Sequence, residues 1–336
     1  MGDDPLLADG VALIRAGIGS EPCIMIESRD HGGGIDAAAA HYGGDRTTWI
    51  DLSTGVNPVP YPLPKLPDSC WNDLPDECAV QALTDAARAY WNVPEGADIL
   101  AAPGASVLIA QIPRLARSET VDIATPTYNE HAASFTALGW NIVNSASADA
   151  RVLVHPNNPD GRTWAADDLT AKFNIIDESF ADVIPDQSLV AMAPRPGTLI
   201  LKSFGKFWGL AGLRLGFVIG DPELIAQLRE MLGPWPVSGI ALAVGTAALR
   251  DGAWAEKTRL RLNADAARLD ALVTSKRAEV VGGTSLFRLY RVQDAAAWQD
   301  RLAHHHVWSR CFPYAPDWLR LGLPHPHDWD RLEAAL

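Results

Sequence analysis

The chain has 336 residues, 28 basic and 41 acidic side chains for a net charge of −13, and a hydrophobic fraction of 48%. That apolar content supports a sizeable core rather than a disordered or fibrous chain, and at about 100–200 residues per domain the length predicts two domains, or one large one with an appendage. The acidic balance excludes a broad basic face for nucleic acid or anionic membrane, so any bound anion must be met by a few placed groups.

Only six of the basic residues are lysines (Lys65, Lys172, Lys202, Lys206, Lys257 and Lys276). Four cysteines, Cys23, Cys70, Cys78 and Cys311, show no C-x-x-C pair and no regular spacing, which argues against a disulfide framework or a zinc site. The acidic start MGDDPLLADG lacks the apolar stretch of a signal peptide, and no run of about 18 apolar residues is present, so a cytoplasmic location is expected.

The first 70 residues read as irregular, with HGGG at 31–34, a short strand at Asp51–Thr54 and a proline-dense extended run from Asn57 to Pro67. From Asp76 the spacing of Val80, Leu83, Ala87 and Tyr90 predicts a helix that stops before Pro94. Strands are then predicted at Val121–Ala124, Val152–His155, Asn174–Ile176, Thr198–Leu201 and Gly216–Ile219. They alternate with helices at Ala105–Leu115, Glu130–Leu138, Pro222–Leu232 and Ile240–Arg250. This alternation predicts an α/β fold with a mostly parallel central sheet and helices on both faces. After Arg250 a long helix, Ala253–Leu272, precedes strand-like pieces at Leu286–Tyr290 and Leu319–Leu323, which read as a smaller α+β domain. The expected division is 1–75 as an arm and part of the small domain, 76–250 as the large domain and 251–336 as the C-terminal small domain. The charged residues of Glu256–Arg268 read as a solvated helix face. Adjacent side chains in His304–His306 diverge, so no metal cluster is expected there.

Open α/β sheets bind ligands at the carboxyl ends of their strands. The polar residues there are Gly104-Ala105-Ser106 opening a helix, Tyr128, the run His155-Pro156-Asn157-Asn158-Pro159-Asp160-Gly161, Asp177-Glu178, and Ser203-Phe204-Gly205-Lys206. Taken singly each has a bland reading: a helix start, a turn, an N-cap, a solvated lysine. Together they meet four needs of pyridoxal 5'-phosphate: a lysine for its aldehyde, a carboxylate for its ring nitrogen, a helix N-terminus with hydroxyls and an arginine for its phosphate, and an amide donor for its phenolate oxygen.

The motifs PNNPDG (156–161), DESF (177–180), SFGKFWGLAGLRLGF (203–217) and WLRLGL (318–323) closely resemble the fold-type I pyridoxal-phosphate enzymes, in the branch that contains histidinol-phosphate aminotransferase. The resemblance runs from about residue 30 to residue 323. It implies that Lys206 forms the Schiff base, that Asp177 faces the ring nitrogen, that Asn158 reaches the phenolate oxygen and that Tyr128 stacks on the ring. It further implies that Gly104, Ala105, Ser106, Ser203 and Arg214 cradle the phosphate, that Arg320 clamps a substrate carboxylate, and that the active unit is a homodimer.

The block HGGGI (31–35) followed by DLSTGVNP (51–58) is similar to the start of the threonine-phosphate decarboxylase family of cobalamin synthesis. That resemblance assigns His31, Gly55 and Asn57 to the substrate end, with Arg310 and Arg320 supplying charge for one phosphate and one carboxylate. The activity it implies is decarboxylation of L-threonine O-3-phosphate. The cofactor motifs serve an aminotransferase equally well, and a catalytically silent binding protein on the same fold is the alternative of another class. Three positions depart from the aminotransferase pattern: Phe180 where a tyrosine is usual, Leu74 where many relatives carry a tyrosine that reaches the partner subunit, and Gly205 in place of a hydroxyl residue.

Overall fold

The computed structural model describes residues 31–116 and 118–336; Cys23 and the acidic N-terminal stretch lie outside the described residues. In chain order its strands are β1 (Ile50–Asp51), β2 (Asp98–Ala102), β3 (Thr120–Ile123), β4 (Asn141–Val143), β5 (Ala150–Val154), β6 (Phe173–Asp177), β7 (Thr198–Ser203), β8 (Gly216–Gly220), β9 (Glu279–Thr284), β10 (Phe287–Arg291), β11 (Val307–Trp308), β12 (Arg310–Phe312) and β13 (Ala315–Gly322). The helices are α1 (Ile35–Tyr42), α2 (Ser69–Asn72), α3 (Glu77–Tyr90), α4 (Ala105–Gln111), α5 (Asn129–Ala137), α6 (Pro222–Leu232), α7 (Gly239–Arg250), α8 (Gly252–Thr274), α9 (Ala295–Ala303) and α10 (Trp329–Ala335).

Seven strands form one sheet in the order β2-β8-β7-β6-β5-β3-β4, parallel except for β8, which runs against both neighbours. Alternation along each strand feeds two cores. Leu199 and Leu201 point to the side packed by α4, α5 and α6, while Ile200 between them points to the side packed by α3, α7 and α8. Val152 and Leu153, and Ile175 and Ile176, divide in the same way. Burial on both faces is why these strands read as continuous apolar runs.

Side-chain caps start most of the long helices. Asp76 accepts from Ala79 N at the head of α3, Ser238 from Ala241 N at α7 and Asp251 from Trp254 N at α8. The predicted Ala105–Leu115 helix is shorter: α4 ends at Gln111 and tightens into a 3₁₀ turn, because Pro113 has no N–H to continue it. Two strands of this seven-stranded sheet, β2 and β4, were not predicted, nor were β9, β11 and β12 beyond it. β2 is alanine-rich and β4 is a three-residue edge strand, so neither carries a β-branched run long enough to read.

The smaller sheet is antiparallel, in the order β12-β13-β10-β9. β1 pairs in parallel with β11, Ile50 opposite Val307, which joins the N-terminal segment to the C-terminal elements. The strand expected at Asp51–Thr54 is only the pair Ile50–Asp51, because Ser53 turns away to hold the loop before α1. The two sheets meet backbone to backbone at three glycines. Gly283 N donates to Asp160 O at 2.8 Å, a Cβ on Gly161 would lie 2.0 Å from Gly283 O, and one on Gly282 would lie 2.1 Å from Asp160 O.

The solvated face expected along Glu256–Arg268 is corrected in part: Glu256, Lys257 and Arg268 are exposed, but two arginines turn inward. Arg259 reaches inward to Asp182 O at 2.7 Å and to the Tyr90 hydroxyl at 2.7 Å, and Arg261 reaches Asn57 Oδ1 at 2.6 Å. Long arginine stems let a helix with a polar sequence pack on protein while their heads find fixed acceptors.

Candidate active site

A cavity opens at the carboxyl ends of β5, β6 and β7. Ala105, Ser106, Tyr128, Asn158, Asp177, Ser203, Lys206 and Arg214 line it together with Phe180 and Gly205. Eight residues expected at a cofactor are therefore brought to one place from six separate stretches of chain.

Asp177 is the last residue of β6 and is 2% exposed. Burial pushes its carboxyl up, but a 2.8 Å bond from His131 Nε2, the charge of that ring and two bonds from Ser179 outweigh it and hold the group below the usual carboxylate range. The sequence reading missed His131. It lies in the first turn of α5, three residues after Tyr128, so one helix start puts Tyr128 on the cavity and His131 against Asp177 behind it.

Lys206 follows β7 in the turn that leads to β8. Desolvation lowers its amine to about 8, with Arg320 and Arg214 lowering it further and Asp177 opposing them. Its Nζ lies 5.3 Å from the centre of the Phe180 ring, which packs edge-on against Phe287 at 4.9 Å. Gly55 fits only because it has no side chain: a Cβ there would lie 2.7 Å from Phe287 and 3.0 Å from Phe180.

The anion end is built around Gly104, at φ 91°, immediately before α4. The Arg214 guanidinium occupies the space a Cβ on Gly104 would fill, at 2.4 Å. Arg214 itself is in the left-handed region at φ 53°, a conformation that sets its side chain over the helix start rather than along β8. The Ser106 and Ser203 hydroxyls line the same end.

Arg320, on β13, donates to Ser53 O at 2.5 Å and to Asn158 Oδ1. With its oxygen so engaged, Asn158 retains its Nδ2 donor for a ligand. Arg310 stands opposite Arg320 in the β12–β13 register, and its charge reaches the Tyr128 hydroxyl. Burial, Glu130 and Asp177 raise that hydroxyl, while Arg310 and Arg214 oppose them.

His31 lines a separate cleft with Ser53 and Arg310, its ring 6.2 Å from that of Tyr128 and its Nε2 3.0 Å from Glu130. The spacing of HGG to D-x-S has a plain cause. Ser53 Oγ accepts from Gly33 N at 2.7 Å and donates to Asp51 Oδ1 at 2.5 Å, and a Cβ on Gly32 would strike Ser53 O at 2.5 Å.

Asn57 is placed differently from expectation. It does not line the cavity and is 2% exposed, its Nδ2 donating to Phe207 O at 2.8 Å and its Oδ1 accepting from Arg261 and Val59 N. Its amide is thus engaged behind the lysine turn. Leu74, where a tyrosine is usual, is 67% exposed. Behind β6 and β7, Lys202 and Glu178 form a fully buried pair, with Nζ 2.5 Å from Oε2. The sequence reading placed Glu178 at the strand end beside Asp177 but gave no partner for it, and it gave Lys202 no role.

The family model for aminotransferase class I and II matches residues 72–336. The chain is 40% identical over 311 residues to the threonine-phosphate decarboxylase of Sinorhizobium sp, covering 87% of this chain and 92% of that protein. It is 36% identical over 326 residues to the threonine-phosphate decarboxylase of Pseudomonas aeruginosa, covering 91% and 97%. The crystal structure of histidinol-phosphate aminotransferase from Sinorhizobium meliloti in complex with pyridoxal-5'-phosphate has the same fold, with a TM-score of 0.76, 19% identity and coverage of 90% of this chain and 93% of that one. A model match over most of the chain, relatives above a third identical along nearly their whole length, and a lysine sharing one cavity with a buried aspartate at the strand ends converge on one assignment: the chain belongs to the aminotransferase class I and II family.

Proposed function

We propose that this protein is a pyridoxal 5'-phosphate-dependent decarboxylase of L-threonine O-3-phosphate, working in cobalamin synthesis. The observation that carries the reading is the 40% identity to a threonine-phosphate decarboxylase across 92% of that protein's length. The paired Arg310 and Arg320 fit a substrate bearing both a phosphate and a carboxylate.

The residues present fit the cofactor. A glycine-opened helix start covered by a guanidinium suits its phosphate, an ionised buried carboxylate suits its ring nitrogen, and a desolvated amine suits its aldehyde. Gly104, Ala105, Ser106, Ser203 and Arg214 would hold the phosphate, Asp177 the ring nitrogen, Asn158 Nδ2 the phenolate oxygen, Tyr128 the ring face and Lys206 the aldehyde. When bound, the cofactor supplies an electron sink for the pair released at the substrate's Cα. Arg320, fixed by Ser53 O and Asn158, orients the carboxylate, while Arg310 and His31 take the phosphate end. His131 holds Asp177 ionised, and the wall of Phe180, Phe287 and Gly55 keeps water from one side of the lysine. The Lys206 amine is placed to hold or return a proton at the reacting end of the cavity.

The test is an assay of CO2 release against a small panel of phosphorylated amino acids. Release from phosphothreonine supports the reading. Amino transfer from histidinol phosphate to 2-oxoglutarate without CO2 replaces it by the aminotransferase reading. The absence of any absorption band dependent on Lys206 replaces both by a silent binding protein.

We also propose a homodimer in the cytoplasm. Leu63, Trp71 and Leu74 are each about two-thirds exposed along the arm and α2, an apolar strip suited to burial against a second copy. A monomer by sedimentation with full activity would overturn it.

A further inference from the structure

We propose that Arg261 is a positioning residue for Lys206, acting from α8 through Asn57. The inference rests on the reading of Lys206 as the reactive lysine and adds to it a means by which that lysine is held.

The chain of contacts is continuous and largely buried. The Arg261 side chain is one-quarter exposed, and its Nη1 is steered by Asp265 Oδ2 at 3.2 Å. Its Nη2 donates to Asn57 Oδ1 at 2.6 Å. Asn57 holds the lysine turn at two points: its backbone N donates to Lys206 O at 3.0 Å and its Nδ2 to Phe207 O at 2.8 Å. One step on, Tyr61 N donates to Trp208 O at 2.9 Å, so the proline-dense arm lies along residues 206–208. The fit leaves no slack, because a Cβ on Gly209 would lie 2.7 Å from Pro60 Cα and 2.8 Å from Asn57 O. Arg259, two residues before Arg261, lies over the Phe207 ring at 5.3 Å and adds a second contact from the same helix.

The turn after β7 needs this support from outside. Between β7 and β8 the chain makes only short turns and a 3₁₀ segment at Ala211–Leu213. Asn57 alone is a weak anchor, since the arm that carries it is rich in prolines with no N–H to donate. A charge-assisted bond from a long helix fixes the amide's orientation, leaving its oxygen toward Arg261 and its nitrogen toward Phe207. The groups facing the Lys206 amine are Asp177 from β6, Arg320 from β13, Arg214 from the turn before β8 and the Tyr128 hydroxyl from the head of α5. A shift of the turn changes its distance from each.

The test follows backbone hydrogen exchange by peptide mass spectrometry in full-length, cofactor-free protein, and in parallel the pH dependence of Lys206 acetylation by acetic anhydride. Variants are Arg261→Met, Arg261→Lys and Arg268→Met, the last removing a guanidinium of the same helix that lies 4.3 Å over Trp329. In Arg261→Met, residues 56–61 and 206–209 exchange roughly tenfold faster or more, the loss expected for a charge-assisted bond. The acetylation midpoint moves up from near 8 toward that of an ordinary lysine. Arg261→Lys restores part of both, and Arg268→Met alters neither. A folded Arg261→Met protein with wild-type exchange and midpoint overturns the proposal, as does equal loosening in Arg268→Met. If Arg261→Met does not fold, Asp265→Asn decides: faster exchange of 56–61 supports the latch and unchanged exchange overturns it. These readouts need no bound group. A cofactor-loaded protein lacking a Lys206-dependent absorption band would refute the cofactor reading and leave the latch result standing.

Discussion

Arg310 and Arg320 face each other residue for residue across the antiparallel pair β12–β13. Side chains directly opposite share a face of the sheet, and like charges there repel. An anion between the two cations lowers that repulsion. Replacing Arg310 by Met is therefore expected to raise KM for the phosphorylated amino acid by roughly 10- to 100-fold, the value of a charge-assisted contact. Arg320→Met is expected to lower stability as well, since it also releases Ser53 O and Asn158. Steady-state kinetics beside melting curves check the split.

His131 and Asp177 form a pair whose side chains are 2% and 3% exposed. His131→Phe leaves a buried carboxylate without its main partner, at a cost of roughly 3–5 kcal/mol. The Asp177 carboxyl then rises, because burial is no longer outweighed. In the wild type the depressed carboxyl stabilises the fold above its unfolded value and loses that contribution as pH falls through its folded one. The variant is expected to lose most of that acid-side dependence and to fall in kcat more than in KM. Denaturant melts from pH 3 to 7, with kinetics at pH 7, test both.

Phe180 places a ring, not a hydroxyl, 5.3 Å from the Lys206 amine. Phe180→Tyr adds a donor at that edge of the cavity. In cofactor-loaded protein the pH midpoint of the visible absorption band is expected to move down by about half a unit to one unit. A midpoint that stays in place or rises would show that the tyrosine hydroxyl does not reach the ligand.

The lysine itself costs stability. Its amine is lowered from 10.5 to about 8, so the unfolded chain binds more protons than the native one between these values, and stability rises with pH there. The cost is complete below pH 8 and relieved above about 10.5. Lys206→Met is expected to stabilise cofactor-free protein at pH 7 by roughly 3 kcal/mol, with the gain fading toward pH 10.5. Urea melts at pH 7 and pH 10 check the sign and the window.

Much of the site was legible because its parts sit where strands end. Lys206, Asp177, Asn158 and Ser203 each follow an apolar run, and period and topology bring such positions together. His131 was not legible, since a histidine in a helix reads the same whether it faces solvent or a carboxylate. Arg261 was misread for a related reason: helical periodicity tells which residues are polar, not that an arginine stem crosses to an arm 204 positions away. The motif drew Asn57 to the right neighbourhood but not to Phe207 O and Arg261, because a motif records proximity to the lysine turn without recording the contacts made there. The strand β2 escaped because Ile99 and Leu100 are followed only by Ala101 and Ala102, too short a run of branched side chains to read.

Gly161, Gly282 and Gly283 act together as a gauge for the width of the catalytic cleft. Arg320 rides on the small sheet and Asn158 on the turn after β5, and only backbone separates those two layers at the glycines. A single methyl group at position 161 or 282 would have to displace backbone oxygen from about 2 Å, driving the layers apart and Arg320 away from Asn158 with them. The spacing between Arg320 and the turn that carries Asn158 is thus set by missing atoms, at positions that carry neither side chain.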